Sequence, residues 1–113
     1  MTQHLFIYGT LAPGKENHHQ LKGIDGQWQS AKVKGEKRMH DPYPNCVGVD
    51  IRKTRRWVDG LLFSSTELVD IWQHLDNFEG PGYKRSLHKV ELATGETVQA
   101  YIYAINHKYK KRI

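Results

Sequence analysis

At 113 residues the chain has room for one hydrophobic core and not two, so residues 1–113 are expected to form a single domain. Hydrophobic residues at 38%, charged residues at 26%, three Trp and six Tyr exclude a disordered chain. The longest apolar runs are only a few residues, far short of the roughly 20 that span a bilayer. The net charge of +5 collects in Arg52, Lys53, Arg55 and Arg56 and in Lys108, Lys110, Lys111 and Arg112.

Such charge can mark a nucleic-acid surface or attract an anionic substrate. No Walker glycine loop, zinc-type cysteine pair or RNP-like aromatic motif accompanies it. The commoner meaning, a solvated loop and a flexible basic tail from about residue 107, is therefore preferred, and nucleic acid is not an expected partner. A single cysteine, Cys46, excludes an internal disulfide. Met1-Thr2-Gln3-His4 carries no charged-then-apolar leader. A cytoplasmic protein without membrane contact is the expectation.

Leu5-Phe6-Ile7-Tyr8 has the aromatic and β-branched content of a buried strand, ended by Gly9. Residues 13–23 read as a loop entering a short helical turn, with Asn17 as its cap and Leu21 as its anchor. A polar-rich, half-exposed strand is expected over 28–33. The prolines in Asp41-Pro42-Tyr43-Pro44-Asn45 predict a stiff loop. A short strand follows over 47–51, then a basic loop and a strand over 57–63. Gly60 interrupts that last strand, as glycines do at a bulge or where a neighbouring backbone approaches closely.

The helix signal covers 66–78, where Leu68, Ile71, Trp72 and Leu75 share one face. Ser64 and Glu67 have capping-box spacing, and Gly80-Pro81 ends the element. Two strands, Tyr83–Leu92 and Thr97–Ile105, should close a hairpin through Ala93-Thr94-Gly95-Glu96. In the second, Val98, Ala100, Ile102 and Ala104 form one face while Tyr101 and Tyr103 lie on the other. About six strands, one clear helix and no βαβ alternation predict an α+β domain around a small curved or closed sheet.

Few residues stand out chemically. Glu79 sits where the helix gives way to glycine, beside Phe78, which is expected to be buried. Desolvation at the edge of an apolar cavity would raise its pKa and suit it to proton transfer. By pattern alone a solvated helix-end glutamate is commoner, and the same holds for Asp76. His18 and His19 are adjacent and lack the i, i+4 spacing of helical metal ligands. The other histidines lie in separate elements, and no metal is expected. Cys46 has no identifiable base and reads as a small buried or semi-buried thiol. Ser64-Ser65 is explained by capping. In Tyr8-Gly9-Thr10-Leu11 a glycine at a strand end can aim successive N–H groups into one concavity, a nest for a carboxylate, with the Thr10 hydroxyl as a further donor.

In combination these pieces resemble the γ-glutamylcyclotransferase-like superfamily, in the branch of γ-glutamylaminecyclotransferase and the AIG2-like proteins. The likeness runs through Tyr8-Gly9-Thr10-Leu11, Gly14, Asn17-His18 and Leu21, then Tyr43-Pro44 and Val58-x-Gly60. It continues with Leu75-Asp76-x-Phe78-Glu79-Gly80, Tyr83-x-Arg85 and Ala100-Tyr101-x-Tyr103, so that it spans about residues 5–105. The resemblance implies a small β-barrel flanked by helices. It implies an intramolecular aminolysis in which the α-amino group of a γ-glutamyl compound attacks its own γ-carbonyl, releasing 5-oxoproline and a free amine. Glu79 matches the family's catalytic glutamate. Tyr8, Gly9, Thr10 and Leu11 match the loop that holds the glutamyl moiety, and Tyr83 matches a pocket wall. No cofactor is implied, and the partner is a small γ-glutamyl substrate.

Two departures bear on substrate choice. Gly60-Leu61-Leu62-Phe63 stands where the family often has Gly-Glu-Val-Tyr. Longer members also carry a C-terminal extension that shapes the pocket, so a more open leaving-group side is expected here. Two other functions stay open at this level: a non-catalytic module binding a small carboxylated metabolite, and a basic nucleic-acid binder. The oligomeric state is not set by the sequence.

Overall fold

The computed structural model describes residues 1–39 and 47–108. The expectations for Asp41-Pro42-Tyr43-Pro44-Asn45, for His40 and Cys46, and for the tail beyond Lys108 lie outside the described residues. Among the described residues the fold has seven strands and one α-helix: β1 Gln3–Ile7, β2 Gln27–Lys34, β3 Glu36–Met39, β4 Val47–Asp50, β5 Trp57–Ser65, α1 Trp72–Glu79, β6 Tyr83–Leu92 and β7 Thr97–Ile105. Two short 3₁₀ turns, His18–Leu21 and Leu68–Asp70, complete it.

Five strands close into a barrel in the order β1-β5-β2-β6-β7, sealed by a parallel β1–β7 pairing of Leu5 with Tyr101 and Phe6 with Ile102. The other ladders are antiparallel, so the barrel is mixed. Closure gives each of these five strands a partner on both sides, which removes the exposed edges a small open sheet would have to protect. β3 and β4 form a separate two-stranded ribbon. β3, Glu-Lys-Arg-Met, has no apolar alternation and was not expected as a strand.

Strand alternation sends side chains to two cores. Phe6, Val33, Leu62, Val90 and Ile102 fill the barrel interior. Their neighbours Leu5, Ile7, Phe63 and Tyr103 face outward and meet Leu68, Trp72 and Leu75 of the helical segment. The division of β7 follows the expected faces, Ala100, Ile102 and Ala104 inside and Tyr101 and Tyr103 outside. Each fully buried Leu or Phe contributes about 1.5–3 kcal/mol.

The helical segment is shorter than its periodicity suggests. Leu68, Ile71, Trp72 and Leu75 are all buried, as expected, but 68–70 form a 3₁₀ turn and α1 begins at Trp72. Ile71, at φ −121°, ψ 3°, interrupts the helical path between the two. The expected capping box is absent: Ser64 belongs to β5 and is bonded to His4 Nδ1 at 2.7 Å. Ser65 Oγ instead accepts from Glu67 N at 3.0 Å, and the Glu67 carboxylate accepts from Asp25 N at 2.9 Å. Asn17 does not cap the first 3₁₀ turn with its side chain, although Leu21 anchors that turn at 2% exposure. No helix among the described residues is long and apolar enough to cross a membrane.

Candidate active site

At one end of the barrel lies a cavity of about 560 Å³. Its walls bring together Tyr8, Gly9, Thr10 and Leu11 from the loop after β1, Glu79 from the end of α1, and Tyr83 from the start of β6. All six residues singled out by sequence thus border one space. Phe78, Tyr103, Val47, Lys37, Glu16 and Asn17 line it as well, together with Leu5, Phe6 and Ile7 of β1.

The loop is held from behind. The Tyr8 phenol donates to the Tyr103 backbone oxygen at 2.5 Å, spanning β1 to β7. Asn17 Nδ2 donates to Thr10 Oγ1 at 2.9 Å, and Asn17 N donates to Thr10 O at 3.0 Å. A hydroxyl that accepts this way keeps its own O–H for another acceptor. His18 Nδ1 is bonded to Leu11 O at 2.9 Å, and its ring tilts against Trp28 at 5.7 Å. The first of the paired histidines therefore braces the loop, and among the described residues no group of three metal-ligating side chains gathers around either.

Gly9 ends the strand without a conformation reserved for glycine. Its φ lies outside the positive range, and nothing stands within 4 Å of the position its Cβ would take. Its lack of a side chain leaves room at the cavity wall. Left-handed geometry is instead found beside Glu79. Gly80 closes α1 at φ 81°, ψ −179°, with its N–H bonded to Asp76 O at 3.1 Å. This backbone region is almost confined to glycine. Gly80→Ala is expected to cost about 1–3 kcal/mol, to displace the Glu79 carboxylate and to lower turnover, as read by thermal denaturation and activity on one preparation.

Glu79 is half-buried, and burial raises its pKa from 4.5 to about 7. The apolar neighbour differs in detail from expectation: Phe78 is 37% exposed and lines the cavity instead of being buried beneath it. Tyr8 is also held protonated, its pKa raised well above the usual phenol value by burial and then by the nearby Tyr83 and Glu79. Tyr83 donates its hydroxyl to Val47 O at 2.9 Å, tying the β3–β4 ribbon to the cavity rim.

Asp76, one turn before Glu79, is not a second free acid. Arg85 Nε and Nη2 donate to its two oxygens at 2.8 and 3.3 Å, and the Tyr103 hydroxyl donates at 2.7 Å. Burial pushes the Asp76 pKa upward, but the bonds from Arg85 and Tyr103 outweigh it and hold the group below its usual value. The Arg85 guanidinium also lies over the Trp72 and Tyr101 rings, 4.5 and 4.9 Å from their centroids. This cluster fastens α1 to β6 and β7 and so sets where Glu79 stands. Asp76, Arg85 and Tyr103 each fall in a motif of the resemblance, but their bonding to one another, across 9 and 27 residues, is written in no local pattern.

The chain belongs to the γ-glutamyl cyclotransferase, AIG2-like family, whose model matches residues 5–113. It is 31% identical over 98 residues to human γ-glutamylaminecyclotransferase, an alignment covering 78% of this chain and 61% of that one. The chain thus spans less than two-thirds of that relative's length. Its fold is similar to that of YkqA from Bacillus subtilis, with a TM-score of 0.71 and 28% identity over 94% of this chain and 36% of the other. A mouse AIG2-like protein shares the fold at a TM-score of 0.66 and 22% identity, over 96% of this chain and 80% of that one.

Proposed function

We propose that this protein is a γ-glutamylcyclotransferase-type enzyme that converts a γ-glutamyl-amine or γ-glutamyl peptide into 5-oxoproline and a free amine, with Glu79 as general acid and base. The observation that carries the reading is the half-buried Glu79 carboxylate, with a pKa of about 7, on the same cavity as the Tyr8–Leu11 loop. A substrate α-amino group is an ammonium near neutral pH and cannot attack until it loses a proton. A carboxylate titrating near 7 is well matched to accept that proton and to return one later.

In the proposed sequence Glu79 takes a proton from the ammonium, and the freed nitrogen attacks the γ-carbonyl carbon. The new C–N bond closes a five-membered ring. Glu79 then delivers that proton to the departing nitrogen as the original C–N bond breaks, takes the second proton from the ring nitrogen and passes it to the freed amine, which leaves as an ammonium. Nucleophile and electrophile belong to one molecule, so the protein mainly has to fold the substrate and keep water away. Backbone N–H groups of the loop and the Thr10 hydroxyl would hold the glutamyl carboxylate, with Tyr8 and Tyr83 as walls.

The test is release of 5-oxoproline by purified protein from a panel of γ-glutamyl-amines, γ-glutamyl amino acids and γ-glutamyl peptides. Release well above the uncatalysed background is expected for at least one member. No release from any of them overturns the reading. Thermal stabilisation by glutamate without turnover would leave a carboxylate-binding module in its place.

A further inference from the structure

The β3–β4 ribbon puts one cationic side chain on the cavity that the mechanism above does not use. Register pairs Lys37 with Val49 and Met39 with Val47. Directly opposed residues of an antiparallel pair share a face. Val49 is fully buried in the core cluster against which Tyr8 packs, and Val47 lines the cavity. Lys37 therefore lies on the ribbon's barrel-facing side, in agreement with its place in the cavity lining. The opposite face carries Glu36, Arg38 and Asp50, and there Arg38 Nη2 stands 3.5 Å from Asp50 Oδ2.

Lys37 is the only Lys or Arg on this cavity among the described residues. It forms no ion pair among them, although the carboxylates of Glu16 and Glu79 line the same space. An ammonium with no ion-pair partner among the described residues, carried by a residue of the cavity lining, is a ready contact for an anionic group on a ligand. The glutamyl carboxylate is already assigned to the Tyr8–Leu11 loop, and the α-ammonium and γ-carbonyl to the neighbourhood of Glu79. What remains is the portion of the substrate that leaves.

We infer that Lys37 is a specificity-determining residue that contacts a carboxylate on the departing amine. The site then favours γ-glutamyl conjugates of amino acids or peptides over those of simple alkylamines. This inference rests on the cyclotransferase reading for its chemistry but not for its binding contact. Electrostatic repulsion from Glu16 and Glu79 works against an anionic leaving group, and Lys37 is the feature that offsets it.

A matched pair of conjugates tests this. γ-Glutamyl-alanine and γ-glutamyl-ethylamide differ only by the carboxylate on the leaving amine. The wild type should favour the alanine conjugate in kcat/KM. Lys37→Met should lower the ratio of the two kcat/KM values about tenfold, whereas Lys37→Arg should keep it. An unchanged ratio in Lys37→Met overturns the inference, including the case where both conjugates weaken together, which would put Lys37 on the glutamyl carboxylate.

The same pair is titrated calorimetrically against Glu79→Gln and against Glu79→Gln with Lys37→Met. The affinity ratio should fall by the same factor, and equal ratios in the two proteins again overturn the inference. This second arm needs no turnover. Absence of 5-oxoproline would therefore sink the enzymatic reading while the carboxylate contact is still decided by binding.

Discussion

Glu79→Gln is expected to reduce 5-oxoproline release by about 10²–10⁴-fold, the usual share of a positioned general acid–base group. Glutamine keeps the shape of the side chain and removes the proton exchange. The loss should therefore fall on kcat, with substrate affinity largely kept. In the wild type the rate should rise with pH as Glu79 loses its proton, with an apparent pKa near 7. That limb should vanish from the residual activity of the variant. Equal release by variant and wild type would remove Glu79 from the mechanism.

The raised pKa also has a consequence for stability, opposite in sign to that of an ion-paired carboxylate. Between its unfolded value of 4.5 and its folded value of about 7, the folded protein binds more protons at Glu79 than the unfolded chain does. Stability from this group is therefore full below about pH 4.5, falls as pH rises through the window, and levels off above about 7. Glu79→Gln removes the ionised, desolvated group. The variant should melt higher than the wild type at about pH 8 and match it near pH 4. A gain in stability where activity is lost would mark Glu79 as a group whose desolvation serves catalysis at a cost to the fold.

Much of the frame can be read from local periodicity because the barrel uses it directly. The β6–β7 hairpin follows from two-residue alternation and the Ala93-Thr94-Gly95-Glu96 turn, with Gly95 at φ 91°. The buried face at 68, 71, 72 and 75 is also legible, since a 3₁₀ turn followed by an α-helix keeps such spacings roughly on one side. What periodicity cannot supply is the break at Ile71, or the use of Ser64 and Ser65 by β5 in place of a helix cap. β3 is invisible for another reason: its polar residues become a strand only because β4 offers a partner. In the site, Glu79 and the Tyr8–Leu11 loop form contiguous motifs. Lys37 and the Asp76–Arg85–Tyr103 cluster depend on pairing between distant segments.

Two glycines that look alike in sequence should respond to alanine in opposite ways. A Cβ on Gly60 would lie 2.5 Å from Ile7 O and 2.7 Å from Phe6 Cζ. Neither neighbour can give way cheaply, for one is strand backbone and the other is the ring of a residue only 1% exposed in the barrel core. β1 and β5 pair up to Ile7 with Leu61, so the added methyl pries them apart where β1 enters the Tyr8 loop. Gly60→Ala is expected to destabilise by about 1–3 kcal/mol. At this chain length each kcal/mol lowers Tm by roughly 4–8 °C. Its activity should fall too, because Ile7 immediately precedes Tyr8. Gly9→Ala meets nothing within 4 Å and needs no unusual φ, so its stability should stay within about 0.5 kcal/mol of the wild type. Its methyl enters space at the cavity wall, however, and should raise KM for the γ-glutamyl substrate. Paired melting and activity measurements separate the two glycines. Loss of stability in Gly9→Ala, or a Gly60→Ala protein as stable as the wild type, would show that the barrel tolerates crowding in a different place from the one these contacts indicate.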